Sequence, residues 1–181
     1  MSMIVKIMFA GSGGQGVLTI GNVLGNAAMF EDFHVVYLPS YGAAVRGGTA
    51  NCTVSISDEE IASPVASSPD FVVAMNQPSA VTFINRLEPG GQMIYNSSLV
   101  DSVPYRGDVD MFPVPANEIA LEIGNERSAN MVMLGCFIKL SNVLKLDAVL
   151  KSIENMLDNK KKLIEISVKA VTEGYNRFPF E

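Results

Sequence analysis

Residues 11–16 read Gly11-Ser12-Gly13-Gly14-Gln15-Gly16, a G-x-G-x-x-G spacing that follows an apolar run and opens a helical one. Glycines in such a loop permit positive φ and close backbone approach, and free N–H groups at a helix start attract phosphate. Four glycines in six residues exceed what tight packing of one helix requires. The chemistry indicated is the binding of a phosphate-bearing ligand. A nicotinamide dinucleotide would also need an acidic residue at the end of the second strand for its ribose hydroxyls. That strand ends Tyr37-Leu38-Pro39-Ser40, and Glu31 and Asp32 precede it. No Gly-Lys-Ser/Thr closes the loop, which excludes a Walker loop.

A second constellation follows in Pro39-Ser40-Tyr41-Gly42-Ala43-Ala44-Val45-Arg46-Gly47-Gly48-Thr49. By topology it leaves the carboxyl end of the second strand, on the same edge as the glycine loop. Arg46 and Lys6 are the only Lys or Arg in the first fifty residues. A guanidinium between glycines, beside an anion-friendly helix start, suits a phosphate or carboxylate. Asn76 and Asn96 end further strands at the edge where α/β sheets place ligand crevices.

Groups that transform ligands are missing. The chain has no Ser-His-Asp or Cys-His set, no paired carboxylates at useful spacing and no metal cluster. Cys52 and Cys136 lie far apart and form no CxxC, so they read as two reduced, buried thiols rather than zinc or iron–sulfur ligands. His34, the only histidine, reads as a surface or packing residue. Lys160-Lys161-Lys162, the only basic run, reads as a solvated helix face.

The elements that position these residues alternate. Residues 3–10 form an apolar strand, 16–30 a helix, and Val35–Leu38 a strand stopped by Pro39. Asn51–Ser57 is an alternating, half-exposed strand and Phe71–Met75 a buried one; Pro78 opens a helix that runs to about Leu87. Gln92–Tyr95 and Asp110–Val114 follow as strands, and from Glu118 onward the pattern is helical, longest over Arg127–Val143 and Lys151–Tyr175. This alternation predicts one α/β domain over residues 1–181, doubly wound on a mainly parallel central sheet, with a helical C-terminal part.

The chain has 181 residues, 48% of them hydrophobic and 18% charged, and a net charge of −6. An average soluble domain carries about 25% charged residues. The acidic balance argues against a nucleic-acid partner. Mean hydropathy is +0.25, which points to surface covered in an oligomer or assembly. No apolar run has membrane-spanning length, and Met3–Ala10 runs into the glycine loop without a cleavage signal, so the reading is a cytoplasmic protein.

These residues resemble the gamma subunit of the 2-oxoacid:ferredoxin oxidoreductases, coenzyme-A-dependent enzymes that oxidatively decarboxylate 2-oxoacids. The resemblance is carried by Gly11-x-Gly13-Gly14-Gln15-Gly16 and by Ser40-Tyr41-Gly42-x-x-x-Arg46-Gly47-Gly48. It continues through the strand Asn51–Ser57, Ser57-Asp58-Glu59-Glu60-Ile61 and Ala74-Met75-Asn76, covering roughly residues 3–100. The Ser-Tyr-Gly form is closer to the 2-oxoglutarate and branched-chain members than to the pyruvate members. Ala43-Ala44 stands where the family often has Pro-Glu.

The resemblance implies a Rossmann-like three-layer domain, inactive alone, on the coenzyme A side of the reaction. Thiamine diphosphate, Mg2+ and iron–sulfur clusters would reside on partner subunits only, and ferredoxin would be reached through the complex. The residues assigned to the ligand are Gly11, Gly13, Gly14, Gln15, Gly16, Ser40, Tyr41, Arg46 and Asn76, with none catalytic and none binding metal. The rival reading is a stand-alone nucleotide- or phosphate-binding regulatory module. A dinucleotide-dependent enzyme is disfavoured by the missing carboxylate after strand two.

Overall fold

The computed structural model describes residues 3–41, 49–62 and 68–180. In chain order the elements are β1 (Ile4–Ser12), α1 (Val17–Phe30), β2 (His34–Tyr41), β3 (Thr49–Ser57), β4 (Phe71–Ala74) and α2 (Gln77–Phe83). Then come β5 (Gln92–Asn96), β6 (Asp110–Val114), α3 (Ala116–Glu122), α4 (Ala129–Ser141), α5 (Leu146–Met156) and α6 (Lys161–Arg177).

The six strands form one sheet in the order β2-β3-β1-β4-β5-β6. β1 pairs in parallel with β4, β4 with β5 and β5 with β6, whereas β3 is antiparallel to both β1 and β2. Five strands therefore run one way and β3 runs against them. The predicted α/β class and mainly parallel sheet hold. The insertion of β3 between β1 and β2 departs from a simple doubly wound order, because the short link from β2 allows β3 to turn back beside it.

Alternation along β1 divides the core between the two faces of the sheet. Ile7 and Phe9 join α1, α3, α4, α5 and α6 in the larger core. Met8 and Ala10 pack with Ala80, Phe83, Ile84 and Leu87 of α2 and the 3-10 turn after it. Helices thus cover both faces, the second more sparsely. On the larger side α4 and α6 approach at two glycines. A Cβ on Gly135 would lie 2.0 Å from the Val171 carbonyl oxygen, and one on Gly174 would lie 2.1 Å from that of Val132. Only glycine lets the two backbones come this close.

Two predicted boundaries move. Pro39 does not stop β2, which runs on to Tyr41. β2 is an edge strand with β3 on one side only, so the missing proline N–H costs no ladder bond on its open side. The single helix predicted over Lys151–Tyr175 is two, separated at Leu157–Lys160. Asn159 adopts φ 67° there, a left-handed conformation that asparagine tolerates and a continuing helix does not.

Candidate functional site

β1 ends beside the point where strand order diverges: β3 and β2 lie on one side, β4 and β5 on the other. Open α/β sheets hold ligands in the crevice at such a switch point. The glycine loop fills it. Ser12 pairs with Thr49 of β3 and Ala10 with Ala74 of β4, so the loop leaves the sheet between the ends of both neighbours.

A buttress of side chains holds the loop. The Gln15 side-chain oxygen accepts from the Ser12 N–H at 2.8 Å, the Ser12 hydroxyl at 3.1 Å and Asn76 Nδ2 at 2.8 Å. Asn76 Nδ2 also donates to Ser12 Oγ at 2.6 Å, and Asn76 Oδ1 caps α2 by accepting from the Ser79 N–H at 3.0 Å. Gln15 and Asn76 therefore set the loop's shape through hydrogen bonds within it. Gly11 is buried beneath them; a Cβ there would lie 2.8 Å from Gln15 Oε1 and 2.9 Å from a Val17 methyl.

Gly14 and Gly16 take φ of 93° and 71°. Gly16 is the N-cap of α1, and no side chain caps that helix. The first N–H groups of a helix lack intrahelical acceptors, so this end offers donors and a partial positive charge to an anion. A cleft of about 370 Å³ opens on the loop, lined by Ser12, Gly13, Gly14, Gly16, Thr19 and Ala50.

Sequence reasoning missed the opposite wall. Asn130, in the first turn of α4, donates from Nδ2 to the Gly16 carbonyl oxygen at 3.2 Å. A second cleft of about 210 Å³ lies between Gly14 and Gln15 on one side and Asn117, Glu126, Arg127 and Asn130 on the other. Arg127 is exposed there, and its guanidinium has no ion-pair partner among the described residues. The available signal was an arginine just ahead of a helix, but nothing local ties it to a loop more than a hundred residues earlier.

The other predicted residues divide. Gly11, Gly13, Gly14, Gln15, Gly16 and Asn76 come together. Ser40 is exposed on β2, two strands from β1, and takes no part in the Ser12–Gln15–Asn76 cluster. Tyr41 ends β2 opposite Ala50, itself opposite Gly11. Arg46 lies outside the described residues; the segment that carries it departs from Tyr41 and returns at Thr49, beside Ser12. Asn96 is fully buried, donating to Asn117 Oδ1 at 2.8 Å and accepting from the Ala116 N–H at 3.3 Å, so it ties β5 to α3.

Burial pushes both thiols up to about 12, Cys52 beneath the start of α1 and Cys136 inside α4. Neither can serve as a nucleophile at neutral pH. Among the described residues no cluster of three His, Cys, Asp or Glu could hold a metal ion, and no helix is long and apolar enough to cross a membrane. The arrangement can bind an anion.

Comparisons with known proteins bear on the family and the fold. Residues 6–177 match the family described as pyruvate ferredoxin/flavodoxin oxidoreductase. Ketoisovalerate oxidoreductase subunit VorA of Methanothermobacter thermautotrophicus is 38% identical over 171 residues, 94% of this chain. The chain spans only about a third of that relative's length (35%). The gamma subunit of the keto/oxoacid ferredoxin oxidoreductase from Geobacter sulfurreducens superposes with a TM-score of 0.82 at 28% identity, covering 95% of this chain and 96% of that one. The 2-oxoglutarate:ferredoxin oxidoreductase of Magnetococcus marinus, solved with 2-oxoglutarate, coenzyme A and succinyl-CoA bound, shares the fold. Its TM-score is 0.87 at 23% identity, over 96% of this chain and 30% of that one. A matched profile over nearly the whole chain, and a gamma subunit of the same length and fold, lead to one assignment: the chain belongs to the pyruvate ferredoxin/flavodoxin oxidoreductase family.

Proposed function

We propose that the chain is the gamma subunit of a multi-subunit 2-oxoacid:ferredoxin oxidoreductase, and that it holds coenzyme A while a 2-oxoacid is converted to acyl-CoA and ferredoxin is reduced. The observation that carries this reading is the glycine loop at the switch point, braced by Gln15 and Asn76 and opening on clefts on two sides. A rigid loop of neutral donors at an uncapped helix start suits a pyrophosphate. Arg46, on the segment that leaves and rejoins the sheet at this edge, adds a full charge to it. Coenzyme A bound in the Magnetococcus marinus enzyme supports the choice of ligand.

Thiamine diphosphate with Mg2+, and iron–sulfur clusters, supply decarboxylation and electron transfer from partner subunits. This chain's own residues bind and orient. Its loop fixes the phosphates, so that the coenzyme's thiol arm is delivered across the interface to the acyl group. Exposed Met29, Phe30 and Leu121 give the apolar surface that an assembly would cover. The ketoisovalerate and 2-oxoglutarate enzymes among its relatives favour a branched-chain or dicarboxylic 2-oxoacid as substrate. Affinity purification of the tagged chain from its cytoplasmic source tests the reading. Recovery with thiamine- and cluster-bearing chains is the expected result; recovery alone, under conditions that preserve complexes, contradicts it.

A further inference from the structure

Away from the glycine loop, a groove of about 200 Å³ runs between α1 and β2. Gly21, Gly25, Met29, Val35 and Tyr37 are among the residues that line it. The chain's own packing explains Gly21, because a Cβ there would lie 2.4 Å from Cys52 Sγ. It does not explain Gly25. A Cβ there would lie 3.4 Å from a Val35 methyl, an ordinary contact, yet a glycine inside a helix costs about 0.5–1 kcal/mol relative to alanine. One turn further on, Met29 projects from the same stripe of α1 with 62% of its surface exposed.

β2 is the end strand of the sheet, and no strand lies beyond it among the described residues. Natural sheets guard such edges with lysine, inward-pointing charges, proline or a bulge. Neither β2 nor α1 contains an Asp, Glu, Lys or Arg, in a chain of net charge −6. Two copies of an acidic chain meet at least cost where neither carries charge. Pro39, near the end of β2, is the one guard present, and it fixes the phase of the strand. With no N–H to give β3, its backbone faces outward; Val36, three residues earlier, turns its own toward β3.

We infer that this edge joins two copies of the chain, β2 antiparallel to β2, about a two-fold axis beside Val36 and Gly25. Such an axis needs a surface that complements itself. Met29 lies four residues after Gly25 and Gly21 four before it, so across the axis each Met29 is set over Gly21 of the other copy. Neighbouring strands lie about 4.8 Å apart and α1 packs on β3 and β2, which puts the two α1 helices about 10–14 Å apart. Methionine side chains fill that gap, and a larger residue at Gly25 would crowd it. The axis passes about 13 Å along α1 from Gly16, so both glycine loops stay open. The inference is independent of the coenzyme A reading.

Sedimentation equilibrium of the purified full chain, combined with cysteine cross-linking, tests this. The wild type should be a dimer, at twice 19.4 kDa. Met29→Lys, at an exposed position, should weaken the dimer at least about tenfold. Val81→Lys, exposed on α2 at the opposite face of the sheet, should leave it intact. Val36→Cys should link to itself under oxidised glutathione, because residues facing each other across the axis have Cα atoms about 4.5 Å apart, within disulfide reach. Leu38→Cys should not, since the same residue of the other copy lies four positions along the strands, about 13 Å away. Cys52 and Cys136 are buried and do not compete. A monomeric wild-type chain, a dimer indifferent to Met29→Lys, or linkage at Leu38→Cys in place of Val36→Cys overturns the inference. A Val36→Cys chain that links to a different subunit of its complex, and not to itself, overturns it too.

Discussion

Asn130 donates to the carbonyl oxygen of Gly16 at 3.2 Å, fastening the first turn of α4 to the left-handed residue that starts α1. The contact explains why two glycines of one loop should respond differently to substitution. A Cβ on Gly16 would lie 2.3 Å from Asn130 Nδ2, whereas one on Gly14 would meet nothing within 4 Å. Gly14→Ala should cost about 1–2 kcal/mol, from the left-handed backbone alone. Gly16→Ala should cost more, because Asn130 must move and the α1–α4 contact is lost with it. Urea denaturation of the two variants checks this; equal losses would show that the Asn130 contact is energetically idle.

Gln15 separates loop shape from loop charge. Gln15→Leu removes the acceptor shared by the Ser12 N–H and Asn76 Nδ2, and should lower stability by about 1–3 kcal/mol. Gln15→Glu keeps an acceptor oxygen at that place but brings a negative charge to the loop proposed to hold an anion. It also replaces the Gln15 Nε2 donor, 3.4 Å from the Met75 carbonyl oxygen, by an oxygen, so it should lose about 1 kcal/mol of stability, and it should bind coenzyme A at least about tenfold more weakly. A Gln15→Glu chain that binds as tightly as wild type would remove the anion from this loop.

The two thiols set an alkaline limit. Burial raises both Cys52 and Cys136 to about 12, above the ordinary thiol value of 9.0. Raised values favour the folded state only while the thiols stay protonated. Their contribution to stability is therefore complete below pH 9, declines as the unfolded chain ionises, and is lost as pH passes 12. Stability curves across this range should fall more steeply for wild type than for a Cys52→Ala, Cys136→Ala double variant. Native chain at pH 8 should also resist thiol alkylation, and rapid labelling of either cysteine would refute the burial argument.

Arg46 carries the charged half of the proposed coenzyme site. Arg46→Ala should raise the Michaelis constant for coenzyme A in the assembled enzyme about ten- to a hundredfold, equivalent to about 1.5–3 kcal/mol. Decarboxylation of the 2-oxoacid should change much less, since the proposed function puts that chemistry on partner subunits. An unmoved constant with assembly intact makes Arg46 a loop or interface residue.

Most of the fold was legible because its signals are local. Apolar runs such as Phe71–Met75 and the glycine break after β1 need no tertiary information. The antiparallel β3 was not, since strand direction depends on which neighbour a strand joins. Pro39 misled because its effect differs between edge and central strands, and edges are set by topology. In the site, Gly11 to Gly16 and Asn76 were readable from motif and strand end. Gln15 and Asn76 nevertheless turn out to brace the loop from within. Arg127 and Asn130 stayed hidden because only the packing of α4 against α1 brings them to the loop.

Reconstitution tests the central claim most directly. Thiamine- and cluster-bearing subunits of the complex, purified without this chain, should show little coenzyme-A-dependent reduction of ferredoxin by a 2-oxoacid. Adding the chain should restore that rate to the level of the intact complex, while the chain alone shows none. Full coenzyme-A-dependent activity without the chain, or 2-oxoacid oxidation by the rigorously pure chain, would contradict its assignment as the coenzyme-binding gamma subunit.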